Sequence, residues 1–280
     1  MFCCPARYDR SLMNAGPLIP DYHIHTRFSD GHEGLEDNLA RAAQLGLPEI
    51  GFADHLAPAC LAEDALYGRD AAWLDDYVAA VPRAAGAYPK LRVLLGVEAE
   101  YLPGAAEETL ATLACHPFDY VLCSVHYVDG FSYDEPDNRE AEGWRDVDRL
   151  WRRYYETLLE AIQTGAFDVI AHLDFPKLWG FRPTVDLSAP EDEVLLAIAA
   201  AGMAIGINTS GLDRYPVAEM FPSTTLLGRA RQAGIPITFG SDAHHVAHVA
   251  ANFAEAIALA RQAGYESYLR LSDRQLVTLP

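Results

Sequence analysis

The chain has no apolar run approaching the ~20 residues that a membrane-spanning helix needs, which sets aside a helical integral membrane protein. Residues 1–16 lack the basic-then-apolar order of a signal peptide, and 1–17 read as a loose N-terminal extension, leaving 18–280 as the expected ordered unit. Cations are scarce: 21 Lys and Arg stand against 40 Asp and Glu, a formal net charge of -19. That far field repels polyanions and argues against nucleic acid or an anionic membrane as partner, so a small anionic substrate would need a local cationic trap. Cysteine is sparse and unpatterned. Cys3, Cys4, Cys60, Cys115 and Cys123 show no paired metal spacing, and their odd number does not suit a disulfide framework. Reduced thiols in a cytoplasmic protein are the expectation. No Pro/Gly/Ser-rich linker and no block of one charge divides the chain, so a single domain is the simpler organisation. Nothing in the sequence speaks to oligomeric state.

Half of the residues are hydrophobic, enough for a large core. Seven apolar, β-branched runs predict strands: Leu18 to His25, Glu49 to Asp54, Leu91 to Glu98, Phe118 to His126, Phe167 to His172, Met203 to Asn208 and Ile235 to Ser241. Helical patterns alternate with them at Leu35–Leu45, Ala71–Ala85, Ala105–Ala114, Val147–Gln163, Glu191–Ala201, Ser223–Ala233 and Ala251–Ala263, several stopped by Gly46, Gly165, Gly202, Gly234 or Gly264. Such alternation predicts α/β architecture with parallel strands joined by helices. Two longer connections, Asp129–Asp146 and Asp174–Ala189, stand out as candidates for function.

Nearly every predicted strand ends in a residue able to bind metal. His23 and His25 lie two apart, so on a strand both imidazoles point to one face. Asp54 and His55, Glu98, His126, His172, and Asp242 with His244 end the others. Singly, each has an ordinary explanation: a turn cap for Asp54, a buried and hydrogen-bonded ring for the histidines. Glu98 is harder to dismiss, because a carboxylate closing an apolar run is costly without a partner. In parallel barrels the carboxyl ends of the strands form one face, which would bring these groups together. Six of the ten histidines fall at such positions. His116, His245 and His248 fit no such pattern.

The order of these motifs resembles the polymerase and histidinol phosphatase (PHP) superfamily, and within it the histidinol-phosphate phosphatase branch. The resemblance rests on His23-Ile24-His25-Thr26, Gly51 to His55, Gly96-Val97-Glu98, Ser124 to Gly130, Ala171 to Asp174, Asn208 to Leu212 and Gly240 to His244, and covers most of the chain. It implies a single-domain distorted (β/α)7 TIM-like barrel holding up to three divalent ions of zinc, iron or manganese. Carried over, His23, His25, Glu98 and Asp242 would bind the first; Glu98 would bridge to a second held by His126 and His172. Asp30, His55 and His244 would hold the third, with His32 the rival to Asp30. Glu98, Asp242 and His244 would be catalytic. The implied activity is metal-dependent hydrolysis of L-histidinol phosphate in histidine biosynthesis.

The branch often places an arginine directly after Asn-Thr-Ser-Gly-Leu, whereas this chain has Asp213 and then Arg214. Lys177, Arg182 and Arg214 are therefore the candidate phosphate-binding cations. Glu100, Asp129 or Asp174 could meet the cationic end of the substrate, and Tyr127, Phe131, Trp179 and Phe181 could close over its imidazole. Competing readings are a superfamily phosphoesterase for another small phosphoester or nucleotide, an amidohydrolase-like deaminase, and a non-catalytic metal-binding module.

Overall fold

The computed structural model describes residues 19–61 and 72–280. The N-terminal extension, together with Leu18 and Ala71, lies outside the described residues.

Strands covered on both faces read as continuous apolar runs, and the helical crossovers between them make the sheet parallel. The chain follows that rule. β1 (Glu49–Phe52) and β2 (His55–Leu56) both pair with β3 (Arg92–Glu100), which pairs with β4 (Tyr120–Ser124). A small hairpin of β5 (Tyr127–Val128) and β6 (Phe131–Ser132) follows, and the parallel path resumes through β7 (Val169–Ile170), β8 (Ala204–Asn208) and β9 (Ile237–Gly240). Seven α-helices among the described residues connect and flank them: α1 (Leu35–Leu45), α2 (Ala72–Ala85), α3 (Ala106–Cys115), α4 (Val147–Gln163), α5 (Ser188–Ala201), α6 (Thr224–Gln232) and α7 (Phe253–Gln262). None of them is long and apolar enough to cross a membrane.

Residues 21–25 close the ring. Gly51 donates its N–H to Asp21 O at 2.8 Å on one side, and His25 donates to Ala243 O at 2.9 Å on the other. The expected first strand is thus two isolated parallel bridges, Asp21 to Ile50 and Ile24 to Ala243, and not a continuous ladder. Pro20 has no N–H to offer, and the bonds of the segment are shared between two neighbours. The expected second strand breaks at Ala53 and Asp54 and resumes as β2. The product is a TIM-like barrel of seven parallel segments.

The barrel interior is built around Tyr120, whose hydroxyl donates to Tyr22 O at 2.8 Å and lies 3.1 Å from Phe52 O. Gly51 and Gly96 make room for it: a Cβ on Gly96 would sit 2.1 Å from the ring. Outside, α4 shows how helices cover the sheet. Leu150, Trp151, Tyr154, Tyr155, Leu158, Ala161 and Ile162 form one buried stripe at helical spacing, and Asp146 caps the first turn by accepting from Arg149 N–H.

One element was not expected. β10 (Ser267–Arg270) and β11 (Gln275–Thr278) form an antiparallel hairpin. It docks at the amino ends of the barrel strands, where Leu271 N–H donates to Tyr22 Oη at 3.1 Å and Ser272 Oγ to Glu49 Oε1 at 2.6 Å. The opposite, carboxyl-end face is left for the site.

Candidate active site

Residues 21–25, β1, β3, β4, β7 and β9 each deliver side chains to that face near or just past their carboxyl ends, His55 at the point where the chain resumes as β2 after β1. Three groups of potential ligands result: His25, Asp30, His55 and His244; His23, His25 and Asp242; Glu98, His126 and His172, with the ligand atoms of each group within 4.8 Å of one another. Glu98 lies among them. Its Oε2 is 3.1 Å from His23 Nε2, 3.4 Å from His25 Nε2 and 3.0 Å from His55 Nδ1. Its Oε1 is 3.1 Å from His172 Nε2 and 4.0 Å from His126 Nε2. His25 Nε2 is also 3.3 Å from Asp242 Oδ1, and His244 Nε2 is 2.9 Å from Asp30 Oδ2.

Buried carboxylates hold the ligand-bearing segments in place. Asp21 accepts from Ser241 N–H at 2.9 Å, Ser241 Oγ at 2.5 Å and Ala250 N–H at 2.9 Å, tying the first segment to the turn that carries Asp242. Asp54 accepts from Thr26 N–H and Oγ and from Ser29 N–H and Oγ, at 2.5–3.0 Å, which fixes the turn leading to Asp30. Glu100 Oε2 is 2.7 Å from His126 Nδ1, leaving Nε2 of that ring for the cluster. Asp242 has φ 53°, a left-handed conformation that is uncommon outside glycine and concentrates at functional positions.

Burial opposes every charge here, and the pairings decide which groups keep theirs. Against it, the imidazoles of His23 and His55 and hydrogen bonds from His172 and His23 hold Glu98 well below the usual carboxylate range. Burial would also raise Asp242, but His23 and Arg214 bring it well below its ordinary value. His25 falls to about 3 through burial and its neighbours His244 and His55, so it is a neutral imidazole. For His126 the Glu100 and Asp134 carboxylates outweigh burial and push the ring up to about 10, so a metal ion held at Nε2 would have to displace a proton from that atom.

These residues fit divalent metal. His23 Nε2 and both ring nitrogens of His25 are buried with no properly directed hydrogen bond, although carboxylate oxygens lie within 3.1–3.4 Å of His23 Nε2 and His25 Nε2. Two atoms each ~2.1 Å from one tetrahedral ion stand ~3.4 Å apart, so close but misdirected donors are what shared ligation requires. Mixed imidazole and carboxylate donors suit zinc, iron or manganese.

A cavity of about 260 Å³ opens over the groups. Asp30, His55, Glu98, His126, His172, Asp242 and His244 line it on the ligand side, and Asp134, Pro136, Phe175, Trp179, Arg214 and Tyr215 complete the wall. Of the three candidate cations, Arg214 reaches it: Nη1 donates to Asp242 O at 2.7 Å and lies 2.9 Å from His244 Nδ1. Lys177 does not. It is fully buried, with Nζ 2.9 Å from Asp174 Oδ2 and 2.7 Å from Met220 O. Arg182 is exposed and pairs with Glu219 at 2.6 Å. The suggested acidic partners are also engaged elsewhere: Glu100 with His126, Asp129 with Arg149 and Arg153, Asp174 with Lys177. His32 is exposed and stacks on His245 with ring centres 3.7 Å apart, outside the three groups. Of the suggested aromatics, Trp179 lines the cavity.

Sequence reasoning missed Asp134, Phe175 and Tyr215 in the wall, and the scaffolding roles of Asp21 and Asp54. A signal for the first existed: Asp129-Gly130 between Tyr127-Val128 and Phe131 marks a hairpin, and the structure has both residues at positive φ in the β5–β6 turn that leads to Asp134.

Comparison with known proteins agrees with this geometry. Residues 21–210 match the PHP domain. A protein of Deinococcus radiodurans named probable histidinol-phosphatase is 34% identical over 249 residues, 87% of this chain and 93% of the relative. A histidinol-phosphatase of Lactococcus lactis subsp. lactis is 26% identical over 91% of this chain and 95% of its own length. Among solved structures, histidinol phosphate phosphatase from the same organism, complexed with zinc, L-histidinol and phosphate, superposes with a TM-score of 0.77 at 22% identity, covering 93% of this chain and all of that one. At that identity the likeness establishes the shared fold.

Proposed function

The chain belongs to the PHP domain family, and from that premise we propose that it is a metal-dependent phosphomonoesterase hydrolysing L-histidinol phosphate to L-histidinol and phosphate, a step of histidine biosynthesis. The observation that carries this reading is the convergence of three ligand groups around both carboxylate oxygens of Glu98, beneath a cavity of small-molecule size.

We assign His23, His25, Asp242 and Glu98 to one ion, Glu98, His126 and His172 to a second, and Asp30, His55 and His244, beside His25, to a third. When bound, such ions neutralise charge on phosphoryl oxygens and make a water acidic enough to serve as nucleophile near neutral pH. Uncatalysed monoester hydrolysis is among the slowest of biological reactions, so positive charge must converge on the phosphate. Arg214 is the side chain assigned to a phosphate oxygen, where a guanidinium can donate two parallel bonds. Glu98, Asp242 and His244 belong both to the ligand groups and to the cavity wall, and are the residues assigned to the reacting centre. His244 Nδ1 lies 3.0 Å from Asp242 O, a contact that sets the orientation of the ring. Phe175, Trp179 and Tyr215 exclude water from the remainder of the wall.

Phosphate release from L-histidinol phosphate, measured beside a panel of sugar phosphates, nucleotides and p-nitrophenyl phosphate, tests the assignment. A preference of at least about a hundredfold in kcat/KM for L-histidinol phosphate is the expected result; equal, weak turnover of all esters contradicts it.

A further inference from the structure

Along the parallel path of the barrel, β8 is the strand that brings no ligand, at its carboxyl end or just past it, to the three groups found among the described residues. It ends in Asn208, the first residue of the Asn208-Thr209-Ser210-Gly211-Leu212 motif. Asn208 is 1% exposed and belongs neither to the ligand groups nor to the cavity wall. A buried amide has to place its donors and its carbonyl on protein partners, and here they lead to Asp242.

The two oxygens of Asp242 have different surroundings. Oδ1 faces the site, 3.3 Å from His25 Nε2, 3.8 Å from His23 Nε2, 3.5 Å from His244 Nδ1 and 3.3 Å from Arg214 Nη1. Oδ2 faces away from it, accepting from Asn208 Nδ2 at 3.2 Å and lying 3.1 Å from Ser210 Oγ. The amide is itself held in one orientation. Ser210 N–H donates to Asn208 Oδ1 at 3.0 Å, which keeps the carbonyl end on Ser210 and turns the NH2 end toward Asp242. Its backbone is pinned as well: Asn208 N–H donates to Phe221 O at 2.7 Å, and Asn208 O accepts from Phe221 N–H at 3.0 Å.

Resting on the assignment of Asp242 to a metal ion, we propose that Asn208 is a positioning residue for the metal centre, acting through that carboxylate. It engages Oδ2 and leaves Oδ1 as the single oxygen offered to metal, aimed at the space shared with His23 and His25. The hold is needed because Asp242 sits at φ 53° on the turn after β9, and a carboxylate free to rotate there would present either oxygen or both. Ser210 is the lesser contributor, since its Oγ lies 2.7 Å from Asn208 Oδ1 as well as near Asp242 and has one proton to share between them.

The test is zinc binding by metal-stripped protein, measured by competition with a chromogenic chelator for wild type, Asn208→Leu, Asp242→Asn and the double variant. Leucine keeps the volume of the amide and removes its polar atoms. Asn208→Leu binds one zinc at least about tenfold more weakly, the lower end of the cost of losing such an outer partner. In the Asp242→Asn background the same change costs less than about threefold, because a residue acting through Asp242 then has nothing to act on. A loss under about tenfold alone, or over about threefold in the Asp242→Asn background, overturns the proposal; the second is what a purely structural role would give. If Asn208→Leu does not fold, Ser210→Ala takes its place. A loss of at least about threefold that disappears in the Asp242→Asn background is then expected, and no loss, or the same loss in both backgrounds, overturns the proposal. Failure of the metal assignment has a different signature, in which Asp242→Asn alone binds zinc as tightly as the wild type, and the role of Asn208 falls with it.

Discussion

The two oxygens of Glu98 face different histidines: Oε2 lies 3.1 Å from His23 Nε2, and Oε1 lies 3.1 Å from His172 Nε2. One carboxylate therefore joins the group on the first segment to the group on β4 and β7. Glu98→Gln is predicted to lower activity by at least ~10³-fold, since it removes a negative charge that two of the proposed ions would share. It should also lower bound metal by more than one ion per chain, whereas His126→Asn lowers it by about one. Elemental analysis of both purified variants, with kcat measured in parallel, checks the difference.

Glu100 acts on the cluster through His126, whose Nδ1 is 2.7 Å away. Losing such a partner typically costs 10- to 100-fold in metal affinity, so Glu100→Gln is predicted to need about that much more free metal for half-maximal activity. Titration of metal-stripped protein measures the shift. Recovery of full activity at excess metal separates this positioning role from a direct one.

The three candidate cations should separate cleanly. Arg214→Met is predicted to weaken inhibition by inorganic phosphate by about tenfold or more, the loss of a charge-assisted pair. Lys177→Met leaves Asp174 buried without its ammonium and should cost about 3 to 5 kcal/mol of stability. Arg182→Ala breaks an exposed pair and should change stability by less than about 1 kcal/mol. Urea unfolding and phosphate inhibition on all three variants test the set.

Gly96→Ala places a methyl group where the Tyr120 ring already is, 2.1 Å from a ring carbon. The ring cannot move away without breaking its bonds to Tyr22 O and Phe52 O. A loss of about 3 kcal/mol is expected from such overpacking, read as a lowered denaturation midpoint.

Much of the architecture could be read from local pattern. Helices α1 and α4 have the boundaries that their periodicity predicts, and every expected strand run from Glu49 onward contains a strand of the barrel. His23 and His25 announced themselves by spacing, and Glu98, His126, His172 and Asp242 by closing apolar runs, because strand periodicity is a local property; Asp30 was singled out only by the family resemblance. What stayed hidden depends on partners distant in sequence. Asp21 shows its role only beside Ser241, 220 residues later. Lys177 looked like a loop cation, but its burial is decided by Asp174 and by Met220 from another connection. The β10–β11 hairpin had only a faint signal in the apolar pairs Tyr268-Leu269 and Leu276-Val277 on either side of a polar turn, and its purpose appears only where it meets Tyr22 and Glu49.

The most direct test of the central claim is phosphate release from L-histidinol phosphate by protein stripped of metal and then reloaded with zinc, manganese or iron. The stripped protein is predicted to be inactive, and at least one of the three ions to restore turnover. Undiminished hydrolysis by the metal-free protein, or none after reloading with all three, would contradict the account.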